Sequence, residues 1–460
     1  MPSKYLIVFA QAHHEFRIPE LHSVAKLYGF DISLPGGEIE TDRPYMVVGL
    51  ANETHARQLA KRCILIKAIY EFYAQGSTYE EVHAQNRANH ALWSRYKLDT
   101  SFKFFVTAFN HKIPQDRQKS VVESFSYMDF MGKIDMKTPD IVLGCFEEYI
   151  EKRGMIRDRH DGDGQFRQVY FGRLIEEGSA RVLIKTFDVK KRDYFGNTSM
   201  ESEVSLLMAN QTLASPGKLI YDPFLGTGSM AYPAAYFGAQ VFGSDIDGRQ
   251  MRGKASTPGV FRAAAQYGVS NRIIDILTFD ITHNPWRCGG LFDAIVTDPP
   301  YGVRAGAKRL GRKKELDPER MALYFEHRNN PRPEDQPYIP PTKPYELSNL
   351  AVDLVKLSRY LLKPGGRLVF FLPTVTEEYE ELDIQSMLCE GMEVTANSLQ
   401  DFGSWGRRLV TIERTTSDFY PPPSFDLGEF EDGANSRHVP AHKDFRDKYF
   451  QGFKKESTTG

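Results

Sequence analysis

Between residues 200 and 415 the sequence keeps one rhythm: a short apolar run, a loop rich in small or acidic residues, then an amphipathic stretch. The apolar runs are "KLIYD", "QVFGSD", "RIIDILTFD", "FDAIVTD", "GRLVFFL" and "RRLVTIE". The stretches between them include "SMAYPAAYFG", "VFRAAAQYG" and "YELSNLAVDLVKLSRYLL". Strands that are apolar almost throughout must be covered on both faces, and the helices supply the cover. The rhythm predicts a mainly parallel α/β sheet over 198–415. Such sheets bind ligands beyond the carboxyl ends of their strands. The residues at those ends are therefore the ones to read for chemistry.

The first strand runs into "YDPFLGTGSM" (221–230). Asp222 ends it, Pro223 and Phe224 follow, and Gly226 and Gly228 let backbone approach a ligand with no side chain in the way. The next helix would turn its free N–H groups toward a ligand carboxylate. Taken alone, a glycine-rich turn is as often an ordinary loop. The second strand ends in "GSDID", where Asp245, followed by Ile246, can accept both hydroxyls of a ribose. Asp247 reads as a helix cap. The third ends in "LTFDIT", where Asp280, beside Ile281, either accepts an adenine amine or caps a turn. An Asp at three successive strand ends fits an adenosine whose tail carries a carboxylate. A nicotinamide cofactor would share the ribose contact, but its G-x-G-x-x-G spacing is absent. S-adenosylmethionine fits better.

The fourth strand, "LFDAIVTD", runs into "PPYG". Pro299 and Pro300 fix φ near −65° and remove two backbone N–H groups. A rigid rim of acceptors remains: the Asp298 carboxylate and the neighbouring carbonyls. A base amine is a poor nucleophile because its lone pair is delocalised into the ring. Two acceptors on its hydrogens favour a pyramidal nitrogen and hold it in line with a methyl donor, and Asp298 can take the proton. Tyr301 can stack on the base, and Gly302 lets the chain turn away. This motif serves a guanine or an adenine amine equally.

The remaining segments set the context. Residues 1–95 read as a small α+β module with strands "YLIVFA" and "YMVVGL". Residues 96–176 read as a second module, with strands in "SFKFFVTAFN", "DIVLGCFEEYI" and "RQVYFGRLI". Residues 177–197 read as a linker carrying Lys190, Lys191 and Arg192, which either contact RNA phosphates or are simply solvated. The insert 303–344 begins with Arg304, Lys308, Arg309, Arg312, Lys313 and Lys314, which either grip phosphates or lie in a solvated loop. Residues 416–460 read as an irregular tail. Net charge is −2 over 460 residues, so a nucleic-acid partner would need local basic patches. No apolar run approaches the ~20 residues of a membrane span, and the start reads as a strand, not a signal peptide. The four cysteines are scattered without a CxxC pair, which predicts a reducing compartment and no metal site.

"DPFLGTGS" and "TDPPYG" resemble the cofactor and catalytic motifs of S-adenosylmethionine-dependent amino-methyltransferases, whose catalytic domain is Rossmann-like. "KKRDYFGNTSM" resembles the segment before the first motif in RNA-modifying members with a THUMP domain. The modules ahead of it resemble THUMP and its ferredoxin-like companion. Together they resemble the eukaryotic tRNA (guanine-10-N2)-methyltransferase family. That resemblance implies a cytoplasmic enzyme that methylates guanosine in tRNA, with Ser199 approaching the cofactor. It also implies a small zinc-binding activator on the sheet edge near Ile273, Ile274 and Ile276. Rival readings are a THUMP methyltransferase for another tRNA guanosine, an adenine-N6 methyltransferase, and a non-catalytic RNA-binding or chaperone protein with a degenerate methyltransferase domain, against which intact Gly226, Gly228, Asp245 and Asp298 speak.

Overall fold

The computed structural model describes residues 2–150, 157–159, 165–254, 256–302, 306–312, 317–330, 340–425 and 439–452, with backbone alone at 157–158 and 327–328. The chain divides into two compact units, Met1–Val182 and Leu183–Gly460.

The first unit is built on one eight-stranded sheet. Its strands are β1 (Ser3–Phe9), β2 (Tyr45–Leu50), β3 (Ile66–Gly76), β4 (Phe102–Ala108), β5 (His111–Lys112), β6 (Ile141–Tyr149), β7 (Arg157–Asp158) and β8 (Phe166–Glu177). Their order is β2-β1-β3-β8-β6-β4-β5-β7. Antiparallel pairing of β3 with β8, from Ala68–Glu177 to Gly76–Val169, joins the two modules read from sequence into one sheet. Helices Arg17–Tyr28 and Glu53–Arg62 bury Leu21, Val24, Ala56 and Leu59 against Ile7 and Ile69. Helices Tyr79–Ala88 and Gln115–Ser124 bury Val82 and Val121 with Phe171. The helix Glu53–Arg62 was not expected. It is polar except at Ala56, Leu59 and Ala60, and Asn52 caps it by accepting from His55 N at 3.1 Å.

The second unit holds the rhythm described above. Its seven-stranded sheet contains β9 (Leu219–Asp222), β10 (Gln240–Asp245), β11 (Ile273–Thr278), β12 (Phe292–Thr297), β15 (Leu362–Val375), β16 (Met392–Asp401) and β17 (Trp405–Arg414), in the order β11-β10-β9-β12-β15-β17-β16. Only β17 runs against the rest. The six expected strands form. β16 was not expected, because it lies at an edge and is largely half-exposed, so its sequence "MEVTANSLQD" carries little apolar signal. The amphipathic helix Leu347–Leu361 buries Leu350, Leu354 and Val355 with Ile295, Leu368 and Phe370.

Three expectations change here. Residues 183–197 belong to the second unit, where buried Phe187 packs its ring on Tyr267 at 4.6 Å. The insert contains a two-stranded ribbon, β13 (Lys308–Leu310) with β14 (Thr342–Pro344), and a helix Pro318–Asn329 capped by Asp317. The tail is not irregular throughout: a helix Phe445–Gln451 docks on the second unit through Phe445, which is 1% exposed. Seven residues without a side-chain cap carry no readable helix signal, so tertiary packing makes this helix.

Candidate active site

The ends of β9, β10 and β12 stand side by side. β9 pairs with β10 through Asp222 and Gly243, and with β12 through Ile220–Ala294 and Tyr221–Ile295. Asp222 is fully buried; its Oδ1 accepts from Thr297 Oγ1 at 2.8 Å and from Phe224 N at 3.0 Å. The Asp222 bond to Thr297 ties the glycine loop to the residue before Asp298. Pro223 is buried, and half-buried Phe224 packs against the core. Gly226 and Gly228 both have left-handed backbones, at φ +53° and +82°. A Cβ on Gly228 would lie 2.6 Å from the Tyr232 hydroxyl. Beside Gly226 the nearest atom to such a Cβ is Phe224 O at 3.9 Å, so that side of the loop is open. The following helix spans only Ala231–Tyr236. Its dipole is correspondingly small, and the loop amides matter more than expected.

Asp245 accepts from Gly226 N at 3.0 Å through Oδ2 and from Asp247 N at 2.8 Å through Oδ1. It thus fixes the glycine loop and retains lone pairs for a ligand. Half-buried Ile246 follows it, and Asp247 caps the next helix as expected. Asp280 caps the turn after β11 by accepting from Thr282 N at 2.9 Å. Its other oxygen accepts from Leu310 N at 2.5 Å, which latches the ribbon of the insert to this strand end. Ile281 is 3% exposed and belongs to the core under helix Leu347–Leu361, so it is a packing residue more than a ligand contact.

Asp298 is half-buried, and its Oδ1 is a buried atom with no hydrogen-bond partner among the described residues. Asp222 Oδ2 is in the same state. No other carboxylate oxygen in the described residues is. Burial pushes the Asp298 carboxyl up to about 6, with the Arg407 guanidinium opposing. Burial pushes Asp222 up to about 7, against its bonds to Thr297 and Phe224 N and aided by the charges of Asp245 and Asp298. Burial likewise raises Asp245 to about 6. Pro299 is buried and Pro300 half-buried. Tyr301 is half-buried and packs its ring edge-on against Phe445 at 6.3 Å. Gly302 has φ +94°, as a turn away from the rim requires.

The segment before the first motif lies against the glycine loop. Ser199 Oγ is 2.7 Å from Thr227 Oγ1 and accepts from Gly196 N at 2.9 Å. Arg192 is not a phosphate contact. It is 4% exposed, donates to Ser229 Oγ at 2.9 Å and to Tyr267 OH at 3.1 Å, and lies over the Tyr232 ring at 5.1 Å. Its planar fork braces the back of the loop. Lys190 and Lys191 are exposed. In the insert, Lys308 is exposed, Arg309 stacks on Tyr345 at 5.3 Å and Arg312 on Tyr324 at 4.0 Å. Arg304, Lys313 and Lys314 lie outside the described residues. β11 is an edge of the sheet, with Ile274 exposed and Ile276 half-buried. Ile273 is only 5% exposed, and its side chain packs inward.

Sequence reading missed Thr297, Ser229 and the helix Phe445–Gln451. Thr297 and Ser229 lie inside the two quoted motifs and could have been suspected. The helix reaches the site only through folding. Among the described residues no cluster of three His, Cys, Asp or Glu is arranged to hold a metal ion, and no helix is long and apolar enough to cross a membrane.

An open glycine cradle and two unpartnered carboxylate oxygens suit a ligand that brings positive charge and hydrogen-bond donors. S-adenosylmethionine carries a sulfonium, an ammonium and ribose hydroxyls, so the residues present fit it.

Comparison with known proteins agrees. A family model described as the Tmrp11 THUMP N-terminal domain matches residues 3–181, and one described as an RMKL-like methyltransferase domain matches 190–322. The tRNA (guanine(10)-N(2))-methyltransferase of Saccharomyces cerevisiae is 36% identical, over 98% of this chain and 99% of its own length. The tRNA (guanine(10)-N(2))-methyltransferase TRMT11 of Homo sapiens is 31% identical, over 98% and 96%. The solved structure of TrmN from Thermus thermophilus covers 89% of this chain and 99% of that chain at 19% identity, with a TM-score of 0.40, too loose a superposition to argue from. The chain belongs to the S-adenosylmethionine-dependent tRNA (guanine(10)-N(2))-methyltransferase family, with a THUMP-type N-terminal domain ahead of its methyltransferase domain.

Proposed function

We propose that this chain methylates the exocyclic N2 of guanosine 10 in tRNA, in the cytoplasm, as the catalytic subunit of a complex with a small zinc-binding activator. The observation that carries the chemistry is the Asp298 carboxylate, which holds a buried oxygen without a partner among the described residues, on a proline-fixed rim one strand from the glycine loop. S-adenosylmethionine supplies an electrophilic methyl group. Asp222, Asp245, Asp280 and the backbone at Gly226 and Gly228 hold it, and Ser199 supports the loop. Ionised Asp298 and the carbonyl beside Pro299 accept the two N–H bonds of the base amine, which aims its lone pair along the line of attack. Asp298 then takes the proton as charge develops on nitrogen. The target base leaves its stack to reach this rim, and Tyr301 covers its face.

Lys308, Arg309 and Arg312, with Lys190 and Lys191, serve as phosphate contacts. The exposed edge at Ile274 suits addition of a partner strand, since an uncovered apolar edge invites aggregation. The test is mass mapping of methylguanosine in tRNA incubated with S-adenosylmethionine, the chain and a zinc activator. Methyl groups confined to N2 of position 10, and lost in Asp298→Ala, are expected. Methylation at another guanosine, or on adenine N6, overturns the reading. Full activity and solubility of the chain alone overturn the activator.

A further inference from the structure

The helix Phe445–Gln451 lies against the loop that carries Tyr301 rather than on a remote face. Phe445 is buried with Leu347 and Val375, and Tyr301, Trp405 and Tyr449 pack on that cluster. Trp405 stands 5.6 Å from the Phe445 ring and 5.5 Å from Tyr449. Two anchors fix the segment at a distance from the loop: buried Ala441 N donates to Asp383 Oδ2 at 3.0 Å, and Lys448 Nζ pairs with Glu378 at 2.5 Å. Gly302 reports the same approach from the other side. A Cβ there would lie 2.9 Å from Arg446 Cδ and 3.0 Å from its Cβ, so a side chain at 302 would crowd this helix and force Arg446 to shift. Arg446 also passes Gly306, the residue that bridges back to Tyr301. It is exposed, stacks only on Phe450 at 6.0 Å, and pairs with no carboxylate among the described residues. A cation held beside an acceptor rim, with no counter-charge among the described residues, suits an incoming phosphate.

We propose that the helix Phe445–Gln451 is the missing wall of the substrate site: Phe445 is a positioning residue that sets the Tyr301 ring, and Arg446 contacts an RNA phosphate next to the target base. This rests on Tyr301 lying beside that base. Three adjacent features follow from one arrangement. The ring of Tyr301 cannot rotate freely while Phe445 holds its edge. Gly302, already bound to glycine by its φ of +94°, also leaves the space that Arg446 crosses. The rim, which has acceptors but no cation of its own facing RNA among the motif residues, gains one from 144 residues further along the chain, from Gly302 to Arg446.

The experiment uses the full chain, with its activator where turnover requires it, and tRNA bearing guanosine at position 10. Arg446→Ala is expected to raise KM for tRNA about three- to tenfold, more than it lowers kcat, and to reduce the salt slope of tRNA binding by about one. Phe445→Leu keeps most of the buried volume and is expected to lower kcat about tenfold while cofactor affinity holds. In a Tyr301→Ala background Phe445→Leu should cost nothing further, which a purely stabilising residue would not show. An unchanged KM and salt slope in Arg446→Ala overturns the phosphate contact. Equal losses from Phe445→Leu in both backgrounds, or wild-type turnover, overturn the positioning role. Asp298→Asn in the same series separates the two levels. Turnover retained there overturns the reading of the rim itself; turnover lost there, with Phe445→Leu and Arg446→Ala silent, overturns only the helix.

Discussion

Both units bury carboxylates, and they treat them differently. In the first unit Glu147 is fully buried and accepts from Tyr79 OH and Arg117 Nη2, both at 2.6 Å, and from Tyr149 OH at 2.7 Å. Glu148 pairs with Arg43 at 2.6 Å. Glu20 holds Ile64 N at 2.7 Å and Leu65 N at 3.0 Å. In the second unit Asp222 and Asp298 each keep one buried oxygen with no partner among the described residues. A buried polar group without a partner costs about 1–3 kcal/mol, more if charged. The first unit spends its carboxylates on architecture; the second leaves two unsatisfied at the strand ends, where a ligand can complete them.

That contrast can be broken by substitution. Asp298→Asn should show the largest change: methyl transfer falls at least about 10³-fold, through lost base and acceptor function, while cofactor affinity measured by calorimetry stays within a few-fold. Glu147→Ala should leave cofactor affinity within a few-fold. It strands Arg117, and should cost about 3–5 kcal/mol of stability in denaturant titration. Equal loss of stability in both variants would erase the distinction between the units.

Asp222→Asn should go the other way. Its folded carboxyl is raised toward 7, above the ordinary value near 4, so between those values the folded protein holds a proton that the unfolded chain releases. The stability this gives is present at low pH and lost as pH rises through about 7. The amide escapes that loss. It should gain on the order of 2 kcal/mol at pH 8 and nothing below about pH 4, read as melting temperature across pH. Asp298 also predicts a pH profile: kcat/KM climbs with pH through about 6, as the carboxylate forms, and Asp298→Asn flattens that limb. The smallest effect is expected at Lys308. Its alanine variant should weaken tRNA binding about two- to threefold with a shallower salt slope, whereas Arg192→Ala should lower stability and leave the slope alone.

Much of the second unit could be read in advance. Its strands are apolar almost end to end, and the residues that matter sit at their tips, where local sequence and tertiary position coincide. Asp222, Asp245 and Asp298 were therefore legible. What failed was whatever depends on packing between distant segments. Arg192 looks like its neighbours Lys190 and Lys191 until Tyr232, Tyr267 and Ser229 close around it. Ile273 and Ile274 are alike in sequence, and the two-residue period of a strand turns one inward and the other out. Phe445 gives no local sign of its destination, because a seven-residue helix acquires its structure only on docking. In the first unit β3 to β8 pairing crosses what composition suggested as a boundary, since hydrogen bonds between strands leave no mark on either strand's residues.

The raised carboxyls of the second unit have a calorimetric consequence. Near neutral pH Asp222, Asp245 and Asp298 hold a fraction of their protons when the site is unliganded. A cationic ligand favours their ionised forms, so its arrival must expel those protons into solution. Its affinity should then strengthen as pH rises from 5 to 8, and the heat of binding should differ between phosphate and Tris by the number of protons released times the difference in buffer ionisation enthalpy.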